Sequence, residues 1–223
     1  MTRAVRLLFL IAIFVAAAGC TSSRNASYNA TIDSVERPSD AAERYGEYTV
    51  SETDSSYVYE DDLIRAGFLN SGGSVLMNVE NKTEHSIQMR LEEGAFVMPD
   101  GSSERILTGD MSFANRNQEV QPITVPSRAS TTATLIPQGS ISMGQYGLTV
   151  APLFQPDLVG GPGQNTSTVD DVRENLGETF SLLLPIEIQG NVNEYTFSFE
   201  VIGAKVEGNR QASEQTIGEY PGQ

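Results

Sequence analysis

The chain has 223 residues, with 29 Asp+Glu against 14 Lys+Arg, a formal charge of −15, one Cys, one His and no Trp. So acidic a balance argues against nucleic acid as a partner, because a protein that holds phosphates needs a basic face to release counterions. One cysteine excludes a disulfide framework and any cysteine-rich zinc or iron–sulfur site, and one histidine leaves little room for imidazole ligation, so no cofactor is expected.

The first element in chain order is a leader. Arg3 and Arg6 form a short basic start, and Leu7 to Gly19 is an uncharged apolar run. That run is too short to cross a hydrocarbon core, which needs about 20 helical residues. A basic start, a short apolar stretch and a small-residue end form the pattern of a secretory signal peptide, here residues 1–19. The end, Ala17-Ala18-Gly19-Cys20, resembles the lipobox of bacterial lipoproteins, with Ala17 where that family usually carries Leu. The resemblance implies cleavage before Cys20 and acyl chains, palmitate among them, on its sulfur and new amino group. Thr21 follows the cysteine; by likeness to enterobacterial sorting, the lack of Asp there implies the outer membrane. Buried acyl chain is worth about 0.8 kcal/mol per CH₂, and one chain binds only marginally, so two or more would hold the protein. An acidic body is repelled by anionic headgroups, which leaves the lipid to do the anchoring.

From Cys20 to Ser55 the chain is rich in Ser, Thr, Asn and acid and shows no sustained apolar period. Residues 20–55 therefore read as a disordered acidic tether, spanning about 30–36 Å as a flexible coil. The alternative is that Glu47 to Thr53 pairs as an edge strand. Four N-x-[ST] matches begin at Asn25, Asn29, Asn81 and Asn165. In a chain so rich in these residues they are expected by chance, and glycosylation is not inferred.

Residues 56–207 carry the signal of a β domain. Val75, Met77 and Val79 alternate with polar or exposed partners, as do Ile87, Met89 and Leu91, around the polar segment Asn81 to His85, which reads as a hairpin turn. Ala95 to Met98, a Pro99-Asp100-Gly101 turn, Arg105 to Thr108, Ile123 to Val125 and Ala129 to Ile136 continue the series. The clearest hairpin is the last, with Phe180, Leu182 and Leu184 on one strand, a turn at Gly190-Asn191, and Tyr195, Phe197, Phe199 and Val201 on the other. Pro185 marks an edge or a bulge, because it cannot donate to a ladder. A short helix is expected over Val169 to Leu176, capped by Ser167 or Thr168 and ended at Gly177. Residues 208–223 read as a frayed tail. About seven short strands with Gly, Pro and Asn punctuation predict an all-β, antiparallel, immunoglobulin-like sandwich.

No constellation in the sequence carries a named chemistry. His85 is the sole base for serine hydrolysis and falls in a turn, and Ser140-Ile-Ser142-Met-Gly144 lacks the first glycine of a nucleophile elbow. Glu60-Asp61-Asp62, Glu92-Glu93 and Asp170-Asp171 are adjacent acids, which in extended chain point to opposite faces and read as solvated charge or a weak Ca²⁺ site. The stripe Tyr195, Phe197, Phe199 reads as core rather than a sugar platform; Tyr57 and Tyr59 sit where tether meets body. Val159 to Gly163 lacks the lysine of a phosphate cradle. The long loops Gly109 to Gln121 and Gln138 to Thr168 are the expected binding surface.

The leader, Asn81-Lys82-Thr83 and Leu184-Pro185-Ile186 together resemble small bacterial lipoproteins with an immunoglobulin-like body, a likeness that implies no activity. The expected protein is a non-enzymatic, lipid-anchored envelope module with an envelope protein partner, held to the membrane through acyl chains on Cys20. The alternative is a lipoprotein that binds carbohydrate or Ca²⁺ through the long loops. Lys82 and Lys205 are its two lysines, and such acid-rich, lysine-poor surfaces resemble those of proteins from salty environments, where screening tames self-repulsion.

Overall fold

Alternation builds the first strand. Tyr28, Ala30 and Ile32 point inward from β1 (Arg24–Glu36), and a bulge between Ile32 and Ser34 returns Val35 to the same face. The structure is a computed structural model, described over residues 24–52, 56–144, 147–154, 173–208 and 215–217. One short helix follows, α1 (Ala41–Tyr45), and then the strands β2 (Thr49–Glu52), β3 (Tyr57–Glu60), β4 (Ile64–Ser71) and β5 (Ser74–Asn81). β6 (Ile87–Met89), β7 (Ala95–Val97), β8 (Ser103–Thr108), β9 (Ile123–Val125) and β10 (Ser130–Pro137) form the middle of the chain. β11 (Ile141–Gly144) and β12 (Gly147–Val150) make a separate hairpin, before β13 (Thr179–Ile188), β14 (Asn191–Gly208) and β15 (Gln215–Ile217).

Thirteen of these strands share one antiparallel sheet, ordered β1-β14-β13-β7-β8-β10-β5-β4-β3-β2. The sheet doubles over through β8, which pairs with β7 on one side and β10 on the other. The two halves thus face each other across one core. Phe197 of β14 meets Tyr59 at 5.4 Å and Phe68 at 4.7 Å between ring centroids, and Phe180 stacks on Phe199 at 4.9 Å. Each such side chain, fully buried, contributes about 1.5–3 kcal/mol of transfer energy.

The all-β, antiparallel expectation holds, but the seven-strand immunoglobulin-like sandwich does not describe this sheet. Two differences account for the change. First, the segment expected to be a tether supplies β1, α1 and β2. β1 covers the outer edge of β14 over most of its length, from Arg24↔Gly208 to Glu36↔Thr196. A row of unpaired backbone groups on β14 is satisfied in this way, and Tyr28, Ala30, Ile32 and Val35 gain burial. Residues 24–52 are therefore part of the folded body. Within the segment 208–223 expected to be a frayed tail, Gln215–Ile217 forms β15 and pairs with Ala204–Val206 of β14.

Second, the expected hairpin of β5 with β6 does not form. β5 pairs with β4 and β10, whereas β6 pairs with β13 and β9. Residues 82–86 are thus a crossover between the two halves of the sheet rather than a turn within one. The last hairpin forms as expected, pairing Phe180↔Phe199, Leu182↔Phe197 and Leu184↔Tyr195. Its turn lies one residue earlier than expected: Gln189 and Gly190 both take positive φ, +50° and +79°, as the tight turn of a twisted hairpin requires. The first half of the expected helix Val169 to Leu176 lies outside the described residues. Its end is seen, with Gly177 at φ +85° and its N–H donating to the Val201 carbonyl at 2.9 Å.

Candidate functional site

Three polar constructions sit on this scaffold. The first is built around Asp61, which follows β3 directly and is 2% exposed. Its Oδ1 accepts the backbone N–H groups of Leu63 and Ile64, both at 2.9 Å, closing the chain into the tight entry of β4. Its Oδ2 accepts the Tyr59 hydroxyl at 2.7 Å and the Tyr195 hydroxyl at 3.0 Å. The Arg37 guanidinium approaches the same oxygen at 3.6 Å, donates to the Gly46 carbonyl at 3.0 Å and lies 4.7 Å over the Tyr48 ring. Burial first, then the bond to Asp61, holds the Tyr59 hydroxyl proton far above the ordinary tyrosine range. Burial, then the nearby Asp61 charge, does the same for Tyr195. Both oxygens of Asp61 are occupied, an arrangement suited to holding the two sheet halves in register rather than to attacking a substrate.

The second is Asn81, at the end of β5 and fully buried. Its Nδ2 lies within donating distance of the carbonyls of His85, Val125 and Pro126, at 2.7, 3.1 and 3.0 Å. Its Oδ1 accepts the N–H and hydroxyl of Thr83 at 2.9 and 2.8 Å. The side chain thereby takes the place of strand pairing where β5 leaves its half of the sheet. Asn81 of the Asn81-Lys82-Thr83 match is enclosed in the fold and presents no amide to a glycan.

The third is a cleft of about 1050 Å³ at the corner where the sheet doubles over. β10 pairs with β8 only through Leu135–Pro137, so Ser130–Thr134 have no strand on that side. β9, on the far wall, pairs with β6 alone. The loop between β8 and β9 lies across this gap and buries Val120. It is fixed in place by Gly109 N–H to Thr134 O at 2.9 Å, Arg105 to Gln118 O at 3.0 Å, and Gln138 to Asn117 Oδ1 at 3.1 Å. Hydroxyl and amide side chains such as Thr132 and Gln121 alternate in the lining with apolar ones such as Met111 and Ile123, and Asp110 and Glu119 are its charged members, with no basic or aromatic residue among them.

Cys20 lies outside the described residues, as do Asp170, Asp171, Asn165 and Val159 to Gly163. His85 is exposed, and Ser142 Oγ meets Thr149 Oγ1 at 2.8 Å rather than a base. The acids Glu60, Asp61 and Asp62 separate as extended chain requires, but Asp61 goes into the core, correcting its assignment to solvated surface. Glu60 stays outside, paired with Lys82 at 2.9 Å, and that bond draws its carboxyl below the usual range. Glu92 and Glu93 both pair with Arg90. Among the described residues no three of His, Cys, Asp or Glu converge as a cation site. Tyr195, Phe197 and Phe199 are core, and Tyr59 joins them. The loop Gly109 to Gln121 does line the cleft, and Val150 of β12, from the second long loop, completes one wall. Sequence reasoning missed Asp61, Arg37 and Asn81. The legible signal was an acid set two residues after a tyrosine and two before the Leu63-Ile64 pair.

No protein family, curated protein or solved structure matches this chain.

Proposed function

We propose that this is a lipid-anchored protein of the cell envelope, placed in the outer membrane, whose β body is a protein-interaction module. The anchor is read from Arg3, Arg6, the apolar run Leu7 to Gly19 and Cys20 at its end. The single structural observation that carries the module is the corner cleft. A loop pinned at both ends to the sheet sets Asp110 and Glu119 in a cleft of mixed polar and apolar lining beside an unpaired strand edge.

The structure sharpens how such a body would be presented. β1 begins at Arg24, four positions after Cys20, where a long stand-off had been expected. The four residue steps from Cys20 to Arg24 reach at most about 14 Å at full extension. An acylated Cys20 would therefore hold the Arg24 end of the β1–β14 pair near the bilayer. Asp61 and the Gln189-Gly190 turn lie toward the other end of the same strands, the end that such an anchor would turn away from the lipid.

A second reading, a ligand-binding lipoprotein, draws support from the hydroxyl and amide lining of the cleft, which suits a hydroxyl-rich ligand such as a carbohydrate. Cell fractionation tests the anchor. Cys20→Ala should move the chain from the membrane to the soluble fraction, and a variant that still sediments with membranes after a salt wash defeats it. Envelope crosslinking with mass spectrometry tests the module, which fails if nothing is captured while the same chain binds glycans.

A further inference from the structure

The open corner has the backbone of a strand acceptor. In an antiparallel ladder, alternate residues of a strand turn both N–H and C=O to the same side. The Thr134 carbonyl accepts Gly109 N–H on the β8 side, and the Ala129 carbonyl accepts Asn81 N–H on the β5 side. Thr132, two residues from Thr134, therefore turns its peptide groups away from β5 and into the cleft, where no strand of the sheet pairs with it.

The two walls of the cleft differ in how they treat this edge. β9 is three residues long and lies between Pro122 and Pro126, the short and proline-flanked edge by which proteins avoid pairing with a stranger. The free part of β10, Ser-Thr-Thr-Ala-Thr, has neither a charge nor a proline. Ser130 and Thr132 are exposed, and Asp110 and Glu119 of the neighbouring loop line the same cleft as Thr132 and Thr134. Five strand residues offer about 17 Å of edge.

We propose that the cleft takes an extended basic peptide segment by strand addition. The segment lies along Ser130–Thr134, pairs with the open peptide groups of Thr132 and sets its cationic side chains against Asp110 and Glu119. Main-chain pairing provides the affinity in this mode of recognition, and the acids select the sign of the partner. The absence of a basic group from the lining, on a chain with a formal charge of −15, favours a cationic occupant over an acidic one. This inference deepens the interaction-module reading and depends on it.

The test uses the full-length chain in mild detergent and a blocked peptide of alternating Thr and Val with a Lys at each end. Hydrogen exchange should show added protection at Ser130–Thr134 when the peptide is bound. A peptide N-methylated at alternate amides, or one ended in Glu, should not protect. Thr132→Pro removes the open donor while leaving the β5 ladder intact, and should abolish binding. Glu119→Lys, a surface change, should weaken binding about tenfold, and it decides the matter if the proline variant does not fold. The proposal is overturned by protection elsewhere, by equal binding of the N-methylated peptide, or by cellohexaose occupying the cleft when the peptide does not. Peptide titration and Cys20→Ala fractionation are independent, so the cleft and the anchor can each fail alone.

Discussion

Tyr59 and Tyr195 donate to one and the same carboxylate oxygen, Oδ2 of Asp61, at 2.7 and 3.0 Å, from strands in opposite halves of the sheet. β3 lies near one end of the sheet path and β14 near the other. A single buried acid thus ties together elements far apart in the chain, and its remaining oxygen fixes the start of β4.

Removing that acid strands four donors and the Arg37 charge inside the protein. Asp61→Ala is expected to destabilise the fold by about 3–5 kcal/mol, the range for breaking a buried pair by deleting one partner. Asp61→Asn should be milder, about 1–3 kcal/mol, because its oxygen still serves Leu63 and Ile64 while the tyrosine hydroxyls rotate to accept from the amide. Urea denaturation of the two variants gives the comparison; equal stabilities for wild type and Asp61→Ala would contradict the tie.

The same pair sets the alkaline limit. Both hydroxyl protons are held more tightly in the folded chain than in the unfolded one. Above about pH 10, unfolded tyrosines release protons that the native state keeps, so the unfolded state binds fewer and stability falls as pH rises. Below that pH the contribution is fully present. Unfolding free energies from about pH 8 to pH 11.5 should decline with a slope that Tyr195→Phe makes shallower; an unchanged slope would mean that Tyr195 titrates freely.

β1 distinguishes a tether from a structural strand. A chain begun at Ser56 loses the cover of Tyr28, Ala30, Ile32 and Val35 over the core and leaves the β14 edge unpaired. Such a chain should lack a cooperative thermal transition in circular dichroism and should aggregate. If it melts like the full chain, β1 is dispensable.

Asn81 makes a prediction of the same kind at the crossover. Asn81→Ala leaves the Val125 carbonyl buried without the amide that serves it, and costs about 1–3 kcal/mol. Because β9 forms the far wall of the cleft, exchange at Ile123–Val125 should rise more than exchange in β13. Uniform loosening across the sheet would contradict a local role for Asn81.

Much of this was legible in the sequence. The acid balance, the basic start and apolar run before Cys20, and the alternation of Val75, Met77 and Val79 or of Phe180 to Val201 depend only on residue type and a period of two, which one strand displays by itself. The long loop Gly109 to Gln121, which lines the cleft, was likewise recognisable as a loop. β1 was not legible, because its inward set of Tyr28, Ala30, Ile32 and Val35 is weakly apolar and a bulge breaks its period. Nor could the sequence show that β5 and β6 part company, since two alternating runs around a polar segment fit a hairpin and a crossover equally. Pairing partners are chosen by the whole sheet, through register, the covering of edges and the satisfaction of every buried polar group. Those same demands brought Arg37, Asp61 and Tyr195 into one cluster and left the edge of Ser130–Thr134 open.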